Sequence, residues 1–181
     1  MLVEELEKEL KTGKLNALYL LYGEDTFLLE NCLKKIKTNF GTLVDGINYI
    51  KIDETNIDQL IPNIETPCFG FEKKLIIARN TGIMKKETKK KDGKSTIIQK
   101  KISSYIEENI DNIRCSVVLV FIEQEINKTD TYKIIEKYGV TCNFEKLKPM
   151  QITKRLKAIC NGYKVNVTED TLMYLVECSR K

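Results

Sequence analysis

The residues that come nearest to a chemical motif lie in the stretch LYLLYGEDTFLLE, which begins at Leu18. An apolar run, a polar turn and an amphipathic segment are typical of the strand, loop and helix that cradle a nucleotide phosphate. Such a loop needs several glycines, followed by Lys and Ser or Thr for the phosphates and Mg²⁺. Here the turn has only Gly23, and Glu24 and Asp25 would repel a triphosphate. The pattern predicts a nucleotide-binding scaffold without its chemistry, and hence a protein that works by binding.

A simpler interpretation of this stretch stays open, because strand, turn and helix begin every α/β unit. In that case Asp25 or Thr26 caps the helix, and the carboxylates are favourable at its positive end. Only the rest of the chain can distinguish the two interpretations.

Residues for catalysis or metal binding are scarce elsewhere. The chain has no His, which excludes Ser-His-Asp and Cys-His catalysis and His-ligated metals. The six cysteines contain no C-x-x-C pair, so reduced thiols are expected rather than a zinc site. Carboxylate pairs such as Glu107 and Glu108 are explained by a charged helix face. We therefore expect no catalytic residue, no cofactor and no metal.

The apolar patterns predict strands that alternate with helices. Five runs rich in β-branched or aromatic residues are predicted strands: Leu18–Tyr22, Ile47–Ile52, Leu75–Arg79, Val117–Ile122 and Val140–Phe144. Four predicted helices lie between them: Thr26–Asn39, Asn56–Ile64, Ser95–Asn109 and Thr129–Tyr138. The third and fourth strands are nearly continuous apolar runs, as in strands covered on both faces. The predicted fold class is α/β, a three-layer parallel sheet with helices on both sides.

Two details of this prediction concern packing. On the first helix, the side chains expected on the inner side are Phe27, Leu28, Cys32 and Ile36. In the sheet, the third strand is expected to lie next to the fourth. With 42% hydrophobic residues among 181, the chain can bury a sizeable core.

The pattern becomes helical after Phe144, with predicted helices over Gln151–Asn161 and Thr168–Cys178. Two helices cannot bury their apolar faces alone, so we expect them to begin a small helical domain that the chain does not complete. The predicted domains are residues 1–146 and 147–181. The N-terminus carries no apolar run long enough for a signal or membrane segment, so no membrane contact and a cytoplasmic location are expected.

Several segments together resemble one protein family. They are LYLLYGEDTFLLE, ETPCFGFEKKLIIARN, SSYIEENIDNIRCSVVLVFIEQEINKTDTYKII and FEKLKPMQITKRLKAICNGYKVNVTEDTLMYLVE, in order along the chain. The chain is similar to the delta subunit of bacterial DNA polymerase III, the clamp-loader subunit that opens the sliding clamp. The resemblance implies a degenerate domain of AAA+ (P-loop NTPase-like) type, then a helical lid domain begun here and a C-terminal collar domain absent here.

The resemblance also implies function. Such subunits take part in DNA replication within the polymerase holoenzyme, do not hydrolyse ATP, and bind the sliding clamp (the beta subunit). Other clamp-loader subunits are expected partners through the C-terminal domain, and primed DNA is expected to be a weak one.

The segment that matches the family's clamp-binding element is Thr66–Lys74, TPCFGFEKK. Family members present two adjacent apolar residues here, which insert into a hydrophobic pocket of the clamp. The matching positions are Cys68 and Phe69. Cys68 departs from the family pattern because it is smaller than the usual leucine, and Phe71 is a candidate for the missing apolar area.

The residues of this segment leave two interpretations open. Aromatic side chains between Pro67 and Gly70, just before a buried strand, suit either a core contact or an exposed plug. Burial of a Phe stabilises by roughly 1.5 to 3 kcal/mol in either place, so energy does not decide. Composition favours a core contact for at least one of them, whereas side chains in a rigid Pro and Gly turn tend to face outward, so geometry has to decide.

A lysine-rich stretch offers an alternative function. Its six basic residues are Lys85, Lys86, Lys89, Lys90, Lys91 and Lys94. A solvated loop is one explanation, and a patch that contacts DNA phosphates is the other. The alternative to a clamp-binding subunit is thus an AAA+-like nucleic-acid-binding or regulatory module that uses this loop. The net charge of +4 argues against a dedicated nucleic-acid binder.

Overall fold

The structure is a computed structural model that describes residues 1–85 and 94–179. The chain divides into two compact units, Met1–Phe144 and Glu145–Lys181. Within the described ranges, no helix has both the length and the apolar character needed to cross a membrane.

The first unit alternates strands and helices. Its strands are β1 (Leu18–Gly23), β2 (Tyr49–Ile52), β3 (Lys74–Arg79), β4 (Val117–Glu123) and β5 (Val140–Phe144). Its helices are α1 (Val3–Lys11), α2 (Thr26–Phe40), α3 (Leu60–Glu65), α4 (Lys94–Glu108), α5 (Ile110–Ser116) and α6 (Asp130–Tyr138), with a 3₁₀ turn at Ile57–Gln59.

The five strands form one parallel sheet in the order β2-β3-β4-β1-β5. The predicted neighbours are confirmed, because Ile76 of β3 and Leu18 of β1 flank Leu119 of β4 on either side. The apolar runs of β3 and β4 thus lie at the centre of the sheet, where both faces are covered.

Helices cover both faces of the sheet. Alternate strand residues such as Leu20, Ile76 and Leu119 pack with apolar side chains of α3 to α6 in one buried cluster. The residues between them, such as Tyr19 and Val120, are also buried and point to the opposite face, where α1 and α2 contact β1 and β5. The predicted three-layer α/β arrangement is therefore confirmed.

One inner-face assignment was wrong. Leu28, Cys32 and Ile36 of α2 are buried as predicted, but Phe27 is 68% exposed. At 100° per residue, Phe27 lies half a turn away from Ile36 around the helix axis. It therefore points to solvent at the head of α2.

Helix α1 is an element that the sequence analysis did not predict. Leu6 and Leu10 are fully buried, while the residues between them are mostly charged. Their spacing of four places both on one helix face. This narrow apolar stripe is the signal that could have found the helix.

Some predicted boundaries of helices and strands differ from those in the structure. Asn56–Ile64 is a 3₁₀ turn followed by α3, with Pro62 in the first turn of α3, where its missing N–H costs no helical hydrogen bond. The helix predicted to end at Asn109 is followed at once by α5. Strand β2 begins at Tyr49 instead of Ile47, which lies in a turn.

The second unit contains two helices, α7 (Pro149–Gly162) and α8 (Glu169–Cys178). Thr168 caps α8 by accepting a hydrogen bond from the Thr171 N–H at 3.3 Å. The two helices pack on each other, and Leu172 and Val176 of α8 are buried. The predicted boundary between the units lay after residue 146.

Candidate functional site

The turn after β1 is built by contacts within the protein. Asp25 caps α2, since its Oδ1 accepts a hydrogen bond from the Leu28 N–H at 3.0 Å. The Asp25 N–H donates to the Phe144 carbonyl of β5 at 2.9 Å. Gly23 is required because a Cβ there would lie 2.4 Å from the same carbonyl oxygen, and its φ is 129°. A carboxylate of the chain thus occupies the anion-binding position at the head of α2.

The ends of the neighbouring strands are also engaged. Arg79, the last residue of β3, forms a 2.6 Å ion pair with Glu30 of α2. Glu123, the last residue of β4, is buried and accepts hydrogen bonds from the Thr81 N–H and Oγ1 at 2.8 and 2.7 Å. Burial raises the pKa of Glu123, while the Thr81 hydrogen bonds act in the opposite direction. These charged groups stabilise the loops at this edge of the sheet.

The segment Thr66–Lys74 lies at the opposite edge, where β3 begins. Thr66 ends α3, with its N–H and Oγ1 both donating to the Pro62 carbonyl at 3.0 and 2.7 Å. Lys74 is 3% exposed, and its ammonium donates to the carbonyls of Asn63 and Thr66 at 2.7 and 2.8 Å. Burial lowers the pKa of Lys74. The loop is therefore held at both ends.

Phe69 stands at the tip of this loop. Its side chain is 84% exposed. Of the two interpretations, a core contact and an exposed position, Phe69 therefore has the exposed position. Gly70 follows with a φ of 77° and open space around its missing Cβ. The left-handed backbone, and not crowding, therefore requires glycine here.

Cys68 precedes Phe69 and joins the loop to a second turn. Its side chain is half-buried, and its Sγ donates to the Ile47 carbonyl at 3.6 Å. Ile47 is itself 46% exposed. Ile47 was predicted to begin a strand, and no sequence signal marked it as exposed in a turn.

Phe71 is less exposed than Phe69. It is half-buried and lines a cavity of about 450 Å³ together with Leu15, Phe40 and Val118. The two aromatic side chains of the segment therefore differ in their surroundings, since Phe69 is exposed to solvent and Phe71 is half-buried beside the cavity.

The sequence model of the family described as DNA polymerase III, delta subunit, matches residues 19–148 of this chain. The chain belongs to the DNA polymerase III delta subunit family. The predicted resemblance is thereby confirmed.

Individual relatives agree with this assignment. The chain is 32% identical over 95 residues to the DNA polymerase III subunit delta of Bacillus subtilis (strain 168), covering 49% of this chain and 26% of the relative. The structure is similar to the Bacillus subtilis DNA clamp loader delta protein, with a TM-score of 0.72 and 23% identity over 96% of this chain and 51% of that one.

The structure is less similar to that of the replication initiator DnaA bound to AMPPCP and single-stranded DNA. The TM-score is 0.49, with 12% identity over 96% of this chain and 54% of that one. The parallel α/β fold of this chain is thus the fold of the clamp loader delta protein. The chain spans about a quarter of the length of the curated relative that it matches.

Most of the lysine stretch lies outside the described residues. Lys86, Lys89, Lys90 and Lys91 fall between residues 85 and 94, and no side-chain position is described for Lys94. Lys85 is exposed at the end of the preceding loop. In this member of the delta subunit family, a DNA contact by these lysines stays a prediction.

The different surroundings of the two phenylalanines lead to a stability prediction. Phe71→Ala should destabilise the α/β unit by about 2 kcal/mol, less than for a fully buried Phe, and lower the melting temperature by roughly 4 to 8 °C. A thermal melt followed by circular dichroism measures this. An unchanged melting temperature would show that the Phe71 side chain does not pack where the structure places it.

Proposed function

We propose that this chain binds the sliding clamp of DNA polymerase III through the Thr66–Lys74 segment, with Phe69 as the anchor. By inserting this side chain beside the clamp's subunit interface, it helps to open the clamp during DNA replication. The observation that carries the proposal is the 84% exposure of Phe69 on a tethered loop in a chain of the delta subunit family.

The energetics of the loop suit an anchor. An exposed Phe carries a large apolar area that gains roughly 1.5 to 3 kcal/mol when a partner covers it completely. The Lys74 ammonium and the Thr66 hydrogen bonds fix the loop before any partner arrives. A pre-ordered loop loses little conformational entropy on binding, so more of the burial energy appears as affinity.

We propose further that the chain neither binds nor hydrolyses ATP. Asp25 holds the anion-binding position at the head of α2, and Glu24 lies exposed beside it. A γ-phosphate there would meet negative charge in place of the Lys that a phosphate loop supplies. The energy for clamp opening then comes from binding and from ATP consumed by other clamp-loader subunits.

The nucleotide proposal predicts a flat titration. Calorimetry with Mg-ATP should give no binding heat up to about millimolar nucleotide, a limit that corresponds to about 4 kcal/mol of binding free energy. Titration of the same preparation with the sliding clamp serves as the positive control. Micromolar binding of Mg-ATP would contradict the proposal.

Clamp binding itself is tested by surface plasmon resonance with immobilised sliding clamp, between about 0.1 M and 1 M salt. An apolar anchor predicts capture that changes little over this range. A module that acts through the lysine stretch predicts instead no capture of the clamp and DNA binding that falls steeply with salt. That pair of results would replace clamp binding with the alternative function.

Further partners belong to the same proposal. Contacts with other clamp-loader subunits through a C-terminal domain, weak contact with primed DNA and a cytoplasmic location are what family membership supports. Each concerns the whole protein, of which this chain matches a part.

A further inference from the structure

A second apolar side chain lies beside the Phe69 loop, on a different part of the chain. Ile47 projects from the turn before β2 and is 46% exposed. The thiol of Cys68 donates to its carbonyl oxygen at 3.6 Å, so the Ile47 turn and the Phe69 loop are in contact. The turn and the loop thus lie side by side, and we call Ile47, Cys68 and Phe69 together the docking surface.

We infer that Ile47 is the second apolar contact of the docking surface with the sliding clamp, and that it determines affinity together with Phe69. This inference rests on the clamp-binding function proposed above. The partner that it implies has an apolar pocket for Phe69 and a shallower apolar area next to that pocket.

The other candidates for the second contact offer less exposed apolar area than Ile47. Phe71 is half-buried and lines the cavity with Phe40, so reaching a partner would cost its own packing. Cys68 is half-buried and bonded to the Ile47 carbonyl, and its side chain is small. Of the three candidates, Ile47 has the most exposed side chain, a branched aliphatic group that is 46% exposed.

The turn that carries Ile47 is held rigidly by its neighbour. Asn48 is buried, and its Oδ1 accepts from the Val44 N–H at 2.6 Å while its Nδ2 donates to the Thr42 carbonyl at 2.8 Å. The Asn48 carbonyl accepts from the Leu75 N–H of β3 at 2.7 Å. Strand β3 therefore holds both parts of the docking surface. Its Leu75 bonds to the Ile47 turn, and its Lys74 bonds to the residues at the start of the Phe69 loop.

The charges next to Ile47 are balanced. Asp45, two residues before it, pairs with Lys51 at 3.2 Å, and the same ammonium lies 5.1 Å from the centre of the Tyr49 ring. A polar rim around an apolar centre is the usual anatomy of a protein interface. Because this pair is internally neutralised, it adds little salt dependence to binding at Ile47.

The test is Ile47→Ala, with affinity for the sliding clamp measured by surface plasmon resonance. We expect binding about tenfold weaker, as for a secondary apolar contact, with an unchanged melting temperature because the side chain is exposed. Cys68→Ala should change affinity less than threefold. The matched control is Ile97→Ala, which removes another exposed isoleucine, 67% exposed on α4, and should not change affinity.

The outcomes separate this inference from the function on which it rests. Unchanged affinity of Ile47→Ala, in a protein whose binding depends on Phe69, would overturn the inference and leave the function standing. Full affinity after removal of Phe69 would overturn the function itself. If Ile47→Ala melts at a lower temperature, Ile47→Val, which keeps the branched shape, must bind more tightly than Ile47→Thr of equal size; equal binding would also overturn the inference.

Discussion

A single carboxylate at position 119 should unfold the α/β unit. Leu119 is fully buried at the centre of β4, between Leu18 and Ile76, and its N–H donates to the Ala17 carbonyl at 2.7 Å. Leu119→Asp would place an unpaired charge among apolar side chains at a cost of several kcal/mol. Because a domain of this size is stable by only about 5 to 15 kcal/mol, we expect the cooperative thermal transition to be lost.

Leu119→Met is the matched control, since this volume-conserving change costs less than about 1.5 kcal/mol and should preserve the transition. Val118 is a weaker probe because it borders the cavity of about 450 Å³, where water can reach a carboxylate. If Leu119→Asp melts within a few degrees of the parent protein, the central position of β4 is wrong.

The central strands could be predicted because burial on both faces removes any need for polar residues. The runs around Ile76 and Leu119 are therefore continuous and apolar, which few other structures explain. A cap at Asp25 or Thr26 was also predictable, since a short polar side chain before an amphipathic run suits a helix start. Both signals are local, and each depends on a single physical requirement.

The position of Ile47 was not predictable from local pattern. Its neighbours Tyr49 and Ile50 are good strand formers, and the run was therefore extended back through Ile47. Asn48 marks where the strand begins, because its side chain bonds to the backbone of Thr42 and Val44 and holds the preceding residues in a turn. Such a bond depends on the path of the preceding loop, which periodicity does not report.

The two phenylalanines of the candidate site show a similar limit. Phe69 and Phe71 are two residues apart, and an extended strand would place them on the same side. The left-handed backbone at Gly70 breaks this alternation and turns Phe71 toward the cavity. The sequence predicted a turn at Pro67 and Gly70, and with it an outward side chain, but not which of the two aromatic residues packs inward.

Phe69→Ala should weaken binding of the sliding clamp strongly and leave the melting temperature nearly unchanged. Truncating a central apolar anchor typically costs about 2 kcal/mol or more, which corresponds to roughly a thirtyfold loss of affinity. The free energy of unfolding should hardly change, because a side chain that is 84% exposed contributes little to the core. Surface plasmon resonance measures the affinity and a thermal melt measures the stability of the same sample.

The chain supplies a matched control for this experiment. Phe27 is also exposed, at 68%, but it follows the carboxyl end of β1, whereas Phe69 precedes the amino end of β3. Since the strands are parallel, the two side chains lie at opposite edges of the sheet. Phe27→Ala should therefore bind the clamp like the parent protein. Equal losses at Phe27 and Phe69 would indicate nonspecific apolar adhesion, and a lower melting temperature for Phe69→Ala with unchanged binding would make Phe69 a packing residue.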